Sequence, residues 1–280
     1  MNIEYEIRYA VHPADFKKYD TEHLRREFLI SNLFVRDKIK MVYSMYDRFM
    51  VGGAVPVTIP LLLEPVEALK ASFFLSRREI GIINIGEEGV VKADGKEYVL
   101  GFKEALYLGA RERNVLFESR NSSRPARFYF NSAPAHTSYP DQLITRANAE
   151  VVLLGAPETS NHRRLNKLIV NTIVKTCQLQ MGLTELQPGS VWNTMPPHTH
   201  ARRMETYFYF EVPKGQTVCH FMGEPSETRH IWMANEEAVL SPQWSIHSAA
   251  GTSNYSFIWG MAGENLDYSD MDTVTPDQLR

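Results

Sequence analysis

From Ile39 onward, short runs rich in Val, Ile, Phe and Tyr are broken by Gly, Pro and Asn, and this pattern limits the fold more than any other feature. Lys40-Met-Val-Tyr-Ser, Ile80-Gly-Ile-Ile-Asn-Ile and Gly89-Val-Val-Lys-Ala are short and rich in side chains that suit a pleated surface. Asp94-Gly95 lies between two alternating runs and supplies the positive φ angles of a two-residue hairpin turn. Strands recurring every roughly 8–12 residues predict a sandwich or barrel rather than alternating β and α units. One helix is expected near the start: Asp20 as its cap, Leu24 and Phe28 on one face, and Glu22, Arg25, Arg26 and Glu27 outward. The expected fold class is mainly β with a few short helices.

The pattern occurs twice. Glu104-Ala-Leu-Tyr-Leu-Gly, Val115-Leu-Phe-Glu-Ser and Ala126-Arg-Phe-Tyr-Phe read as strand, turn, strand, turn, strand. Glu237-Ala-Val-Leu-Ser-Pro, Ser245-Ile-His-Ser and Asn254-Tyr-Ser-Phe-Ile-Trp repeat that order. The expectation is two related β-barrel halves, 1–135 and 166–280. A connector at 136–165 would join them, with a strand at Val151 to Leu154 inside it.

Lys plus Arg number 30 and Asp plus Glu 33, a net charge of −3, which excludes the basic footprint of a nucleic-acid binder. Cys177 and Cys219 form no CxxC pair and read as small buried hydrophobes rather than a disulfide framework. The runs at Ile59 to Leu63 and Val151 to Leu154 fall far short of the about 20 residues that cross a bilayer. No basic-then-apolar leader pattern opens the chain, so a cytoplasmic location without membrane contact is expected. Phosphate loops, the GxSxG elbow and HExxH are missing, which removes support for kinase, hydrolase and dinucleotide-dehydrogenase readings.

The chemistry concentrates in one stretch, Met195-Pro-Pro-His198-Thr-His200-Ala-Arg-Arg-Met-Glu205, followed later by Pro242-Gln-Trp-Ser-Ile-His247. Two residues apart on a strand, His198 and His200 point to one face. Glu205 opens the next β segment and His247 comes from a third. Three imidazoles and a carboxylate suit Zn²⁺, Mn²⁺, Fe²⁺ or Ni²⁺ and leave positions open for substrate. His12, His23, His136, His162, His220 and His230 lack such spacing and read as ordinary surface or hydrogen-bonded residues.

The HxHxxxxE at His198, His200 and Glu205, with the PxxxxH ending at His247, resembles the cupin metal motifs; two halves with the motif in one resemble a bicupin. One departure is visible: the usual glycine five residues before HxH is replaced by Gly189, nine residues before. At the place of Pro242 to His247, the first half reads Gly109-Ala-Arg-Glu-Arg-Asn114, without histidine. The stretches Gln187-Pro-Gly-Ser-Val-Trp-Asn, Arg202-Arg-Met-Glu-Thr-Tyr and Ser241-Pro-Gln-Trp-Ser-Ile-His are similar to the 5-keto-4-deoxyuronate isomerase family, as are Phe34-Val-Arg-Asp and Gly52-Gly-Ala-Val-Pro-Val. The likeness spans nearly the whole chain. It implies a zinc-dependent aldose–ketose isomerisation in bacterial pectin breakdown, giving 3-deoxy-D-glycero-2,5-hexodiulosonate. It also implies a homohexamer and one metal held by His198, His200, Glu205 and His247.

Moving a carbonyl between neighbouring carbons needs a base within reach of the proton. Tyr207, Tyr209 and Tyr255 are candidates, as is Glu211, read as a carboxylate on the same strand face as Glu205; each is also readable as a core or rim residue. An acidic substrate needs a cationic anchor, for which Arg163, Arg164, Arg202 and Arg203 are candidates beside their reading as solvated surface. The ligands alone also fit an iron dioxygenase, and a bicupin that binds a sugar acid without turning it over is a third class.

Overall fold

The alternation read from Ile39 onward builds sheets throughout. The structure, a computed structural model, describes residues 3–280. The Asp94-Gly95 hairpin forms as expected, joining Gly89–Ala93 to Lys96–Leu100 with φ of 53° and 74° at the two turn residues. The helix Thr21–Phe28 starts at Asp20, whose carboxylate accepts the His23 N–H at 2.8 Å, and it buries Leu24 and Phe28.

Two compact units result. Of the described residues, the first contains 3–8, 32–150 and 168–181; the second contains 9–31, 151–167 and 182–280. The units therefore interleave in sequence, where contiguous halves at 1–135 and 166–280 are expected. Edge strands explain the difference. Leu29–Ile30 closes the second unit's large sheet by pairing with Glu237–Ser241, which carries the N-terminal helix to the later half of the chain. The expected connector is not passive either: Gln142–Ile144 pairs with Ala105–Leu108 as an edge strand of the first unit.

In spatial order, the first unit's seven-stranded sheet runs Ile3–Arg8, Ile39–Ser44, Met50–Ala54, Phe128–Pro134, Arg78–Asn84, Ala105–Leu108 and Gln142–Ile144. Its four-stranded sheet runs Leu61–Leu62, Val115–Ser119, Gly89–Ala93 and Lys96–Leu100. The other seven-stranded sheet runs Glu150–Leu154, Arg163–Ile169, Gln180–Leu186, Ser256–Gly263, Arg203–Phe210, Glu237–Ser241 and Leu29–Ile30. A four-stranded sheet of Trp192–Asn193, Ser248–Gly251, Val218–Glu224 and Glu227–Met233 accompanies it. Rank for rank, the two sets of sheets correspond, so the repeat read from the sequence is a repeat of architecture. The fold is a bicupin.

The interiors differ. Ile80, Ile82, Leu106, Phe117, Phe128 and Phe130 fill the first barrel with hydrocarbon. Gly52 is required there, because a Cβ at that position would lie 2.1 Å from the Phe130 ring. Arg113 stands next to the place where the second half carries His247. Its guanidinium is buried and bridges Asp141 at 2.6 Å and Asp94 at 3.0 Å. Among the described residues the single convergent group of metal-ligand side chains lies in the second unit.

Candidate metal centre

Three separate pieces of backbone deliver that group. His198 sits in the short strand His198–Thr199, which pairs with Asp272–Thr273; His200 follows it directly. Glu205 lies on Arg203–Phe210, in the middle of the sheet, paired on one side with Met261 and on the other with Ser241. His247 comes from the turn before Ser248–Gly251, tightened by the Ser245 N–H bond to the Pro242 carbonyl at 2.9 Å.

His198 Nε2 lies 3.0 Å from the Nε2 atoms of both His200 and His247. Glu205 Oε2 lies 3.1 Å from His200 Nε2 and 2.9 Å from His247 Nε2. His200 donates its Nδ1–H to the Asp270 carbonyl at 2.8 Å, which leaves the Nε2 lone pair turned into the cluster. Lone pairs crowded at this spacing repel unless a cation lies among them. A Zn²⁺ about 2.1 Å from each donor would set neighbouring donors roughly 3.0 Å apart at right angles and roughly 3.4 Å apart in a tetrahedron, close to the 2.9–3.1 Å between neighbouring donors here. Burial pushes His198 down to about 2, with His247 and His200 adding to the shift. Burial alone would raise Glu205, but His247 and His200 overturn that and hold it below the usual carboxylate range. A neutral His198 beside an ionised Glu205 is the protonation state that a metal needs of these two ligands. The residues fit the ion.

The cluster forms part of the wall of a cavity of about 300 Å³. Tyr207, Phe257, Trp259 and Met261 line an apolar side, and Arg163 and Thr194 contribute polar groups. Tyr207 lies two residues along the strand from Glu205 and shares its face. Its hydroxyl meets Thr194 Oγ1 at 2.9 Å, and burial, reinforced by the Glu205 charge, holds the phenol well above its ordinary range.

The other candidates fall elsewhere. Tyr209 shares a 2.7 Å hydrogen bond with buried His220 Nδ1, and Tyr255 donates to Asn193 Oδ1; neither lines the cavity. Glu211 does not extend the Glu205 face. The strand stops at Phe210, and Glu211 takes a left-handed φ of 54°, exposed, with Ser256 Oγ donating to it. Of the four arginines, only Arg163 lines the cavity. Arg202 is ion-paired to Asp270 through two hydrogen bonds. Arg203 is 1% exposed and donates to the carbonyls of Asp267, Tyr268 and Asp270, which fixes the segment that supplies the His200 partner. Arg164 donates to Asn166 at 3.1 Å. Arg163 spends one N–H on the Asn161 carbonyl at 2.9 Å, and no carboxylate among the described residues pairs with it.

Residues 29–276 match the KduI/IolB family. The chain belongs to that family. It is 61% identical to a protein of Bacteroides thetaiotaomicron named 4-deoxy-L-threo-5-hexosulose-uronate ketol-isomerase 1, over 97% of each chain. A protein of Formosa agariphila named 4-deoxy-L-threo-5-hexosulose-uronate ketol-isomerase is 58% identical over the full length of both. Among solved structures, an IolB-like protein from Salmonella typhimurium superposes with a TM-score of 0.66 at 16% identity, over 81% of this KduI/IolB family chain and 86% of that one. An oxalate decarboxylase from Lactobacillus farciminis gives 0.55 at 9% identity, over 82% and 80%. These two likenesses concern the fold.

Proposed function

We propose that the chain is a zinc-dependent ketol-isomerase that converts 4-deoxy-L-threo-5-hexosulose uronate to 3-deoxy-D-glycero-2,5-hexodiulosonate. The observation that carries the proposal is the meeting of the four-donor cluster, three of whose members (His198, His200 and Glu205) line the cavity, with an arginine in the same wall that has no acidic partner among the described residues. The name shared by full-length relatives supports the substrate.

His198, His200, Glu205 and His247 would hold the metal. Once bound, it supplies Lewis-acid stabilisation of the negative charge that develops as a carbonyl moves between neighbouring carbons, without any redox change. Arg163 anchors the substrate carboxylate with the guanidinium edge not spent on Asn161. Phe257, Trp259 and Met261 exclude water and fix the sugar chain between anchor and metal. Tyr207 keeps its proton at neutral pH and offers the Oη–H to a substrate oxygen, steadied by Thr194. Glu205 turns Oε2 to the imidazoles, where its ionised carboxylate completes the donor set. Tyr255 and Glu211 take no part, because neither lines the cavity.

The proposal extends, on the family resemblance, to pectin breakdown in the cytoplasm by a homohexamer; the free thiols of Cys177 and Cys219 agree with a reducing compartment. An NMR time course with 4-deoxy-5-ketouronate, with and without chelator, tests the central claim. Conversion that stops on chelation and returns with Zn²⁺ is expected. Oxygen uptake in the presence of Fe²⁺ without isomerisation would overturn it. Light scattering tests the hexamer.

A further inference from the structure

The first unit carries a second cavity, of about 410 Å³, whose wall contains three arginines and no acidic residue. Arg48 and Arg77 are exposed at it, whereas Arg78 is 4% exposed. Burying a guanidinium is costly unless a counter-charge or a full set of hydrogen bonds compensates. Arg78 donates to Ser132 Oγ at 3.0 Å, to the Ser132 carbonyl at 2.8 Å and to the Arg48 carbonyl at 2.7 Å, all neutral acceptors. Among the described residues, none of the three arginines is ion-paired.

Glu79, next in sequence, does not neutralise them. Its two oxygens accept the N–H groups of Cys177, Gln178 and Leu179, each at 2.8 Å, and the Tyr107 hydroxyl at 2.7 Å. Strand alternation places that carboxylate on the sheet face opposite Arg78. The contrast with Arg113 is instructive: buried in the same unit, it is compensated by Asp141 and Asp94. Loss of hydration draws Arg78 down to about 10, against the opposing influence of Tyr43 and Glu79. The Tyr43 ring stacks under the Arg78 guanidinium, 5.6 Å from its carbon, and Leu69, Phe74 and Pro134 give the cavity an apolar wall.

We infer that this cavity is a second ligand site, distinct from the metal centre, which binds a small organic oxyanion between Arg48, Arg77 and Arg78 with its carbon body against Leu69, Phe74 and Pro134. Guanidinium groups match carboxylate and phosphate oxygens alike, so the oxyanion is the shared chemistry and the apolar wall selects an organic one. The inference does not rest on the isomerase reading, and each can fail without the other.

Methyl NMR of the zinc-loaded protein, labelled at alanine, reads the site directly, because Ala71 and Ala135 lie in its wall. Galacturonate, a carboxylate, glucose 1-phosphate, an organic phosphate, and inorganic phosphate are titrated in parallel. Saturable shifts of the Ala71 and Ala135 methyls with either organic anion are expected, with inorganic phosphate weaker. Arg48→Ala with Arg77→Ala, both at exposed positions, should weaken binding by about tenfold or more, the effect of losing charge-assisted hydrogen bonds. Arg78→Lys, which keeps the charge and loses the fork, should weaken it as well. Shifts unaffected by the double variant would overturn the inference. So would no saturable shift with any of the three anions, or shifts that follow dilution of the protein and thus report contact with another copy of the chain.

Discussion

Arg163→Met removes the proposed carboxylate anchor and leaves most of the side-chain volume. The guanidinium is half-buried, lines the metal cavity, and has one N–H committed to Asn161. A hydrogen bond to a charged group contributes about 1.5–3 kcal/mol net. At about 1.4 kcal/mol per decade, this predicts a fall in kcat/KM of roughly 10–150-fold. If the anchor holds ground state and transition state alike, the loss appears in KM; if its binding energy aligns the reacting carbons, kcat falls too. Arg163→Lys should recover part of the loss, because the charge returns without the planar fork. Arg202→Met should have little effect, since that side chain is tied to Asp270 outside the cavity. Steady-state kinetics together with metal analysis of each variant is the assay. An Arg163→Met enzyme with wild-type KM and kcat would refute the reasoning, and so would loss of zinc in step with activity.

His247→Ala takes one of the four donors and should abolish both zinc retention and turnover while the circular dichroism of the sheets persists; a fully active, metal-free variant would sink the assignment. Tyr207→Phe keeps the ring against Phe257 and removes the protonated hydroxyl, so kcat should fall by roughly 10²-fold or more with zinc content unchanged, as for loss of a positioned acid. Asp141→Asn should cost about 3 kcal/mol of stability at neutral pH in chemical denaturation, because buried Arg113 keeps only Asp94 as a charged partner. Although burial alone would raise Asp141, Arg113 holds it below 3.8; its contribution is therefore complete above that pH and is lost as pH falls through the lower folded value. The gap between wild type and variant should shrink accordingly in acid. Glu79→Gln turns an amide N–H₂ toward backbone N–H donors and should lower stability by about 1–3 kcal/mol with isomerase activity retained.

The β architecture and the donor cluster were legible because both rest on local spacing. Alternation of side chains specifies strands, Asp94-Gly95 specifies a turn, and HxH on a strand places two imidazoles on one face whatever lies around them. What spacing could not convey is which distant backbone meets a side chain. Arg202 and Arg203 look alike in sequence, yet one faces solvent with Asp270 and the other is buried against the carbonyls of Asp267, Tyr268 and Asp270. Every residue has a carbonyl, so no residue type marks such partners. The Glu211 reading failed for a related reason: extending alternation past Glu205 assumes that the strand continues, and a left-handed residue ends it at Phe210. The interleaving of the units was hidden because Leu29–Ile30 is too short for periodicity to show.

That interleaving imposes an order on synthesis. Residues 9–31 belong to a unit whose main body, 182–280, leaves the ribosome long after them. At about 5–20 residues per second, the intervening chain takes roughly 10–30 s to make. Throughout that interval Phe16, Leu24 and Phe28, buried once folding is complete, have no barrel to enter. The nascent protein thus carries an early apolar segment in waiting, while residues 32–150 can begin to fold beside it. Its yield in a cell should depend on chaperones that shield an N-terminal helix, and a circular permutant that begins at residue 32 and ends with 9–31 should shed that dependence.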